Sequence, residues 1–289
     1  MKKIIFFFVF LCISFFNFAQ TDDTTKNEVD TVIVGVYKIP NKTYSSSDDA
    51  KPKKKKITSD IIFGNYNSKR KKSNISTNWW IFDIGFANFR DQTNYAVAQT
   101  GSYFQTYKNG PVTENSMNLV NKKSSNFNIW FFMQKLNVSQ HKLNLKYGLG
   151  LEMYNYRFEN SLSYRKDPKN YIFNDSINFS KNKLYAGYIT IPVMVNYSPN
   201  PNKKKSFNIS AGMSVGYLIS SRNKQISNER GKAKISGNFD LEPFRIATIA
   251  EIGIGPVKLY GSYSLNSLHK SSTGLQQYPY VIGVRLSNW

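Results

Sequence analysis

The stretch HKLNLKYGLGLEM, residues 141–153, puts Leu143, Leu145, Tyr147, Leu149, Leu151 and Met153 on one parity and Asn144, Lys146, Gly148, Gly150 and Glu152 on the other. Successive side chains of a strand point to opposite faces, so alternation of period two predicts a strand with one dry face and one polar face. Eight such segments can be placed, at about 79–90, 125–136, 143–156, 184–197, 206–219, 241–254, 257–267 and 278–289. The connections between them run to roughly 34, 6, 27, 8, 21, 2 and 10 residues, alternately long and short.

Alternation alone does not say which face looks inward. In a soluble sheet the apolar row meets a protein core, whereas in a membrane barrel it meets lipid and the polar row lines the lumen. The charged residues well inside the strands, Asp83, Lys146, Glu152, Arg245, Glu251, Lys258 and Arg285, all share the polar parity. The opposite parity is uncharged: Trp80, Phe82, Ile84 and Phe86; Ile189, Ile191, Val193 and Val195; Ile209, Ala211, Met213 and Val215; Tyr280, Ile282, Val284 and Leu286. A charge at the lipid midplane costs about 2–4 kcal/mol, enough to clear one face and not the other.

Small residues give the same answer. Gly85, Gly148, Gly150, Gly212, Gly216, Gly253 and Gly283 sit on the charged parity, with Ala87, Ala186, Ser210 and Ser214. A narrow barrel only just holds its interior side chains, so small residues belong inside. The pattern therefore predicts an all-β fold: an eight-stranded antiparallel transmembrane β-barrel whose acids neutralise its bases in a filled, non-conducting lumen. Trp79, Tyr154, Tyr156, Tyr197, Tyr217, Tyr278 and Trp289, near strand ends, are expected to form interface girdles.

Residues 1–19 read as a secretory signal peptide: Lys2 and Lys3, an apolar run from Ile4 to Phe16, and Ala19 at the cleavage point. The run falls short of the roughly 20 residues that a spanning helix needs. Cys12, the single cysteine, lies in this run, so the mature chain is expected to carry no disulfide and no thiolate. Residues 20–78, with SSSDDAKPKKKK and NYNSKRKKSNIS, read as a disordered basic periplasmic tail, and 79–289 as the barrel. An even strand count places both termini in the periplasm. The net charge of +21 is spread along the chain without a nucleic-acid motif, and suits outer-membrane lipid and lipopolysaccharide better than nucleic acid as partner.

No phosphate loop, zinc spacing or EF-hand pattern is present, and no catalytic residue, metal or cofactor is expected. His141 falls in a short turn. His269, in SLHKSS, has Ser267 and Ser271 two residues to either side, a spacing that would let a base activate a serine. It is superficially similar to the His-x-Ser of lipid A deacylase barrels, and leaves a lipid A modifying hydrolase as an alternative. A second alternative is a surface adhesin acting through the long loops 91–124 and 157–183.

YAGYITIPVMVNYSP (185–199), with its Ile191–Pro192 step and Tyr197, resembles a strand of the PorT-like outer-membrane β-barrel family of Bacteroidota. FNISAGMSVGYLIS (207–220) and FDLEPFRIATIAEIGIGPVKLYGSYSLNSL (239–268) are similar to the strands that follow it in that family. The resemblance covers about residues 79–289. It implies an integral outer-membrane protein with a structural or protein-interaction role among other envelope or secretion proteins, since some relatives are linked to type IX secretion. Two departures stand out. Trp289 shares parity with Arg285 rather than Leu286, and Pro192 sits mid-strand on the inward parity, where a missing N–H calls for a bulge.

Overall fold

Each alternating segment folds as an antiparallel strand, and two further hairpins arise inside the long connections. The computed structural model describes residues 73–201 and 206–287. The expected signal peptide, the tail as far as residue 72, and Trp289 lie outside the described residues. The strands are β1 (Ile75–Asp91), β2 (Ser125–Ser139), β3 (Leu143–Arg157), β4 (Leu162–Arg165), β5 (Tyr171–Asn174), β6 (Lys181–Tyr197), β7 (Phe207–Ser227), β8 (Gly231–Ser236), β9 (Phe244–Ile254), β10 (Val257–Ser264) and β11 (Gln277–Leu286). Strand β1 begins at Ile75, four residues inside the segment expected as tail.

The hydrogen-bonded order β6-β3-β2-β1-β11-β10-β9-β7 returns to β6 through the β6–β7 pairing, which closes eight strands into a barrel. Closure matters in lipid because it leaves the wall no open edge of unpaired backbone N–H and C=O groups. β8 pairs with the far end of β7, and β4–β5 forms a separate hairpin. One end of the barrel carries short turns. There Gln140 and His141, both at positive φ, carry the chain from β2 to β3, and Gly255 at φ 61° starts the turn between β9 and β10. The other end carries the long loops.

The apolar parity faces outward all round the wall. Ile84 and Phe86 are each 64% exposed, Val195 55%, Leu259 53% and Ile282 60%. A continuous aliphatic belt of this kind is unfavourable in water and matches hydrocarbon. Along β6 the outward row from Tyr197 to Ile189 spans nine residues, which at about 3.3 Å per residue and a tilt near 40° covers roughly 23 Å of membrane.

The alternation slips at three places. In β1, Trp79 and Trp80 both face outward, with Trp80 at φ 55°, while Asn78 and Ile81 on either side are buried. Across from them Phe131 and Phe132 also both face outward, between buried Trp130 and Met133. The four rings pair edge-on or tilted, Trp79 with Phe132 and Trp80 with Phe131, and form an aromatic collar at the short-turn end. In β7 the phase changes at Ile219, where Tyr188 pairs with Leu218 and Gly187 with Ser220.

Pro192 marks a further irregularity, and here the expectation of a bulge fails. Its pairing with Ser214 keeps register with the pairs on either side. On its other flank the β3–β6 ladder runs from Tyr147↔Val193 to Gly150↔Thr190 without the two pairs between them. The missing N–H is accommodated by a gap in the ladder at unchanged register. The girdle expectation also needs correction. Trp79, Tyr197 and Tyr217 are exposed and Tyr278 is half-buried on the outward parity, but Tyr154 and Tyr156 are each 1% exposed and point into the lumen. They share parity with Glu152, so a lipid-facing role would have reversed that strand.

Candidate functional site

The lumen is built in layers from the inward parity. Near the short turns Asn144 donates to Asn196 (3.3 Å), Asn196 to Ser210 (2.9 Å), and Ser210 to Glu251 (2.8 Å). Lys258 donates to Ser287 at 2.7 Å. Further in, Arg285 closes on Asp83 through Nε and Nη2, both at 2.7 Å, while its Nη1 donates to Glu251 at 2.7 Å. Lys146 donates to the other oxygen of Glu251. Trp130 Nε1 donates to Asp83 at 2.7 Å, and the Arg285 guanidinium lies over the Trp130 and Tyr260 rings, 5.1 and 5.5 Å from their centroids.

A second ionic layer lies toward the long loops. Arg245 donates to Glu152 at 2.9 Å and to Ser262 at 2.7 Å, with its guanidinium 4.9 Å from the centre of the Tyr154 ring. Tyr156 stacks on Tyr154, and Tyr188 meets Tyr154 edge-on. The seven charged residues singled out from parity are thus all in one lumen, none more than 4% exposed. Carboxylates buried this deeply are tolerable only with charged, hydrogen-bonded partners, and each of the three has one. Parity missed Lys135, which pairs across from Lys146. The Phe131 bulge changes the phase of β2 just before it.

Space for these large side chains comes from the inward glycines. A Cβ on Gly150 would stand 2.6 Å from the Trp130 ring, and one on Gly283 would meet Gly85 Cα at 2.6 Å and the Tyr260 ring at 2.7 Å. Neither overlap can be relieved cheaply, because backbone is involved.

The long loops do not hang free. Tyr103, Phe104, Met117, Phe158, Leu162, Tyr164, Ile172, Phe239, Leu241, Leu268 and Leu275 join the upper lumen residues in one buried cluster. This cap has its own polar ties: Tyr103 Oη donates to the Phe239 carbonyl at 2.7 Å, and buried Asp175 accepts from Ser163 (2.9 Å) and Arg230 (2.7 Å). At its rim a cleft of about 410 Å³ gathers Asn88, Asp91, Glu114, Asn118, Asn121 and Glu159.

His269 is part of the cap interior, 1% exposed, with its ring parallel to Tyr164 (centroids 6.0 Å apart) and edge-on to Tyr103. Neither ring nitrogen makes a hydrogen bond of good geometry, Gln277 being the polar side chain that interacts with the ring. Burial pushes its pKa down to about 3, against smaller opposing pulls from the Asp91 carboxylate and the Gln277 side chain. Ser267 Oγ is engaged with the Leu275 carbonyl and the Gln277 amide, both at 3.1 Å, and Ser271 is exposed. The structure does not bring this histidine and either serine together as base and nucleophile. His141 stays in the β2–β3 turn. Among the described residues no group of three or more His, Cys, Asp or Glu side chains is placed to hold a metal.

The sequence profile of the outer membrane protein beta-barrel domain matches residues 85–271. No curated protein matches the chain. Among solved structures, Ail, the attachment invasion locus protein of Yersinia pestis, aligns with 75% of this chain and 99% of its own at 13% identity and a TM-score of 0.29.

Proposed function

We propose, from the premise that the chain belongs to the outer membrane protein beta-barrel domain family, that it is a non-conducting, non-enzymatic outer-membrane barrel. On this reading it acts as a structural or protein-interaction component of the envelope, presenting its folded cap outside. The observation that carries the reading is the inaccessibility of the lumen. Lys146 and Arg285 at mid-barrel, and Lys258 nearer the short turns, are each 0% exposed. A water-filled pore would leave such groups hydrated. Here the ionic layers and glycine-seated rings leave no water-sized approach to them, and the cap covers the long-loop mouth.

In this proposal the short turns and both termini are periplasmic and the long loops external, the arrangement usual for barrels with this loop asymmetry. Membership of the PorT-like branch, and with it a link to secretion or envelope assembly, rests on the strand motifs around Ile191–Pro192 and Gly212–Gly216. Purified protein reconstituted in planar bilayers should give no single-channel steps, and regular steps would overturn the non-conducting assignment. Cell fractionation with a heat-modifiability gel tests the location: an outer-membrane band should migrate differently before and after boiling.

An adhesin reading has one specific feature in its favour, the cap's own buried cluster, which gives the loops a fixed surface. Binding of folded protein to immobilised extracellular-matrix proteins or host cells, set against copurification of envelope proteins, separates the two roles.

A further inference from the structure

On the outer flank of the barrel, β3, β6 and β7 continue past the aliphatic belt, and β8 adds a fourth strand to this overhang. Its outward face is a ladder of like charges. In one row Arg157 lies opposite Lys183, Lys183 opposite Lys224, and Lys224 opposite Lys234. The next row out sets Lys181 beside Ile226 and Ile226 beside Lys232; the row nearer the membrane holds Tyr185 beside Arg222. Successive rows are about 7 Å apart along the strands.

Directly opposed like charges on a sheet repel. Among the described residues, none of these seven cations makes an ion pair: the cap carboxylate Asp175 is taken by Arg165 and Arg230, and Asp240 by Lys270. What holds their stems is neutral. Lys183 donates to Asn155 at 2.5 Å, Arg157 to the Ser180 carbonyl, and the Arg222 guanidinium lies 4.2 Å from the centre of the Tyr185 ring. The inner face of the same sheet is buried on the cap through Asn182, Asn223 and Gln225, so the cationic rows are held in place rather than free to spread apart.

Tyr217, Ile219 and Ile189, at the margin of the apolar belt, lie immediately beneath these rows. Any anion that neutralises them therefore sits at headgroup level, attached to a lipid whose chains lie along the belt. We propose that this face is a binding site for the phosphate groups on the headgroup of an outer-leaflet glycolipid, with Arg157, Lys183, Lys224 and Lys234 as the central row. Fixed rows of lysine and arginine at spacings of several ångströms match a headgroup carrying more than one phosphate. The site rests on the external placement of the long-loop end proposed above.

The test uses the full chain refolded in zwitterionic detergent, titrated with phosphorylated lipid A, with the same lipid A after dephosphorylation, and with phosphatidylglycerol. The expected result is binding at least tenfold tighter to the phosphorylated glycolipid than to either control. A Lys183→Gln/Lys224→Gln/Lys234→Gln variant, shown by heat-modifiability to be folded, should lose most of that preference. Equal binding of the three lipids, or an unchanged preference in the variant, overturns the site. An Asn228→Cys variant, in the exposed turn between β7 and β8, treated on intact cells with a membrane-impermeant maleimide, reports the orientation separately. Labelling alongside absent selectivity overturns the site alone; no labelling overturns the orientation and the outer-leaflet ligand with it.

Discussion

Asp83 and Arg285 stand directly opposite each other across the seam where β1 meets β11, joined by two parallel hydrogen bonds of 2.7 Å. The strands farthest apart in the barrel's sequence are thus clamped by a bidentate ion pair that water does not reach. Arg285 also holds Glu251 on β9, so one guanidinium serves two carboxylates.

Removing that guanidinium leaves Asp83 facing a low-dielectric interior and deprives Glu251 of one of its two cations. Arg285→Met should therefore cost about 3–5 kcal/mol of barrel stability. Asp83→Asn should cost less, because Arg285 keeps Glu251. Urea midpoints of the folded variants in liposomes check the order; equal losses would contradict the shared role.

Gly150→Val places a side chain where the Trp130 ring now lies. Overpacking of this kind costs about 1–3 kcal/mol, and backbone contact pushes it to the upper end. Trp130→Phe in the Gly150→Val background should recover part of the loss, which the same urea midpoints would show. No recovery would mean that the overlap is with the strand alone.

The cap should weaken in mild acid. An unfolded histidine takes up its proton near pH 6.5, whereas His269 in the folded cap resists protonation until about pH 3. The folded pKa is the depressed one, so the stabilising effect is complete above the unfolded pKa. It is lost as the pH falls through the window between the two values, by up to about 1.4 kcal/mol per unit. Protease cleavage of the long loops should speed up from pH 6.5 toward pH 4 in the wild type. His269→Phe should flatten this dependence, and an equally steep profile in that variant would assign the effect to another group.

Asp175 ties β4–β5 to the turn after β7 through Ser163 and Arg230. Arg230 is partly exposed, which dilutes its share of the ion pair. The buried carboxylate is the costlier group to disturb, and Asp175→Asn should loosen the cap by about 1–3 kcal/mol. Trypsin should then cut after Arg230 and Lys232 several-fold faster while the heat-modifiable band of the barrel is unchanged. Slower migration of the whole barrel would show that cap and wall do not separate.

The wall was legible because lipid enforces a rule that alternation records directly: charges such as Glu152 and Arg245 cannot share a parity with Ile191 or Val284. What alternation hides is a change of phase. β7 runs to Ser227, but its outward set slips at Ile219, and the lysines and arginines beyond it read as loop. Lys135 was lost to the slip at Phe131 in the same way. Misplacing Tyr154 and Tyr156 had a different origin, since aromatic residues near strand ends suit an interface and a lumen equally well, and only parity with Glu152 separates the two. The cap was invisible because its contacts, such as Tyr103 with Phe239, join loops far apart in sequence, and no periodicity encodes them.

Trp80 and Phe131 have a joint consequence for how this chain can change. Each is an added residue in its own strand, yet Asn78↔Met133 and Phe82↔Ile129, on either side, keep a common register. The two insertions cancel. Deleting Trp80 alone would set inward Asn78 against outward Phe132, turning a polar amide to lipid or a phenyl ring into the lumen; deleting both would restore the match. Insertions and deletions at this level must come as a pair, and the aromatic collar behaves as a single two-strand unit.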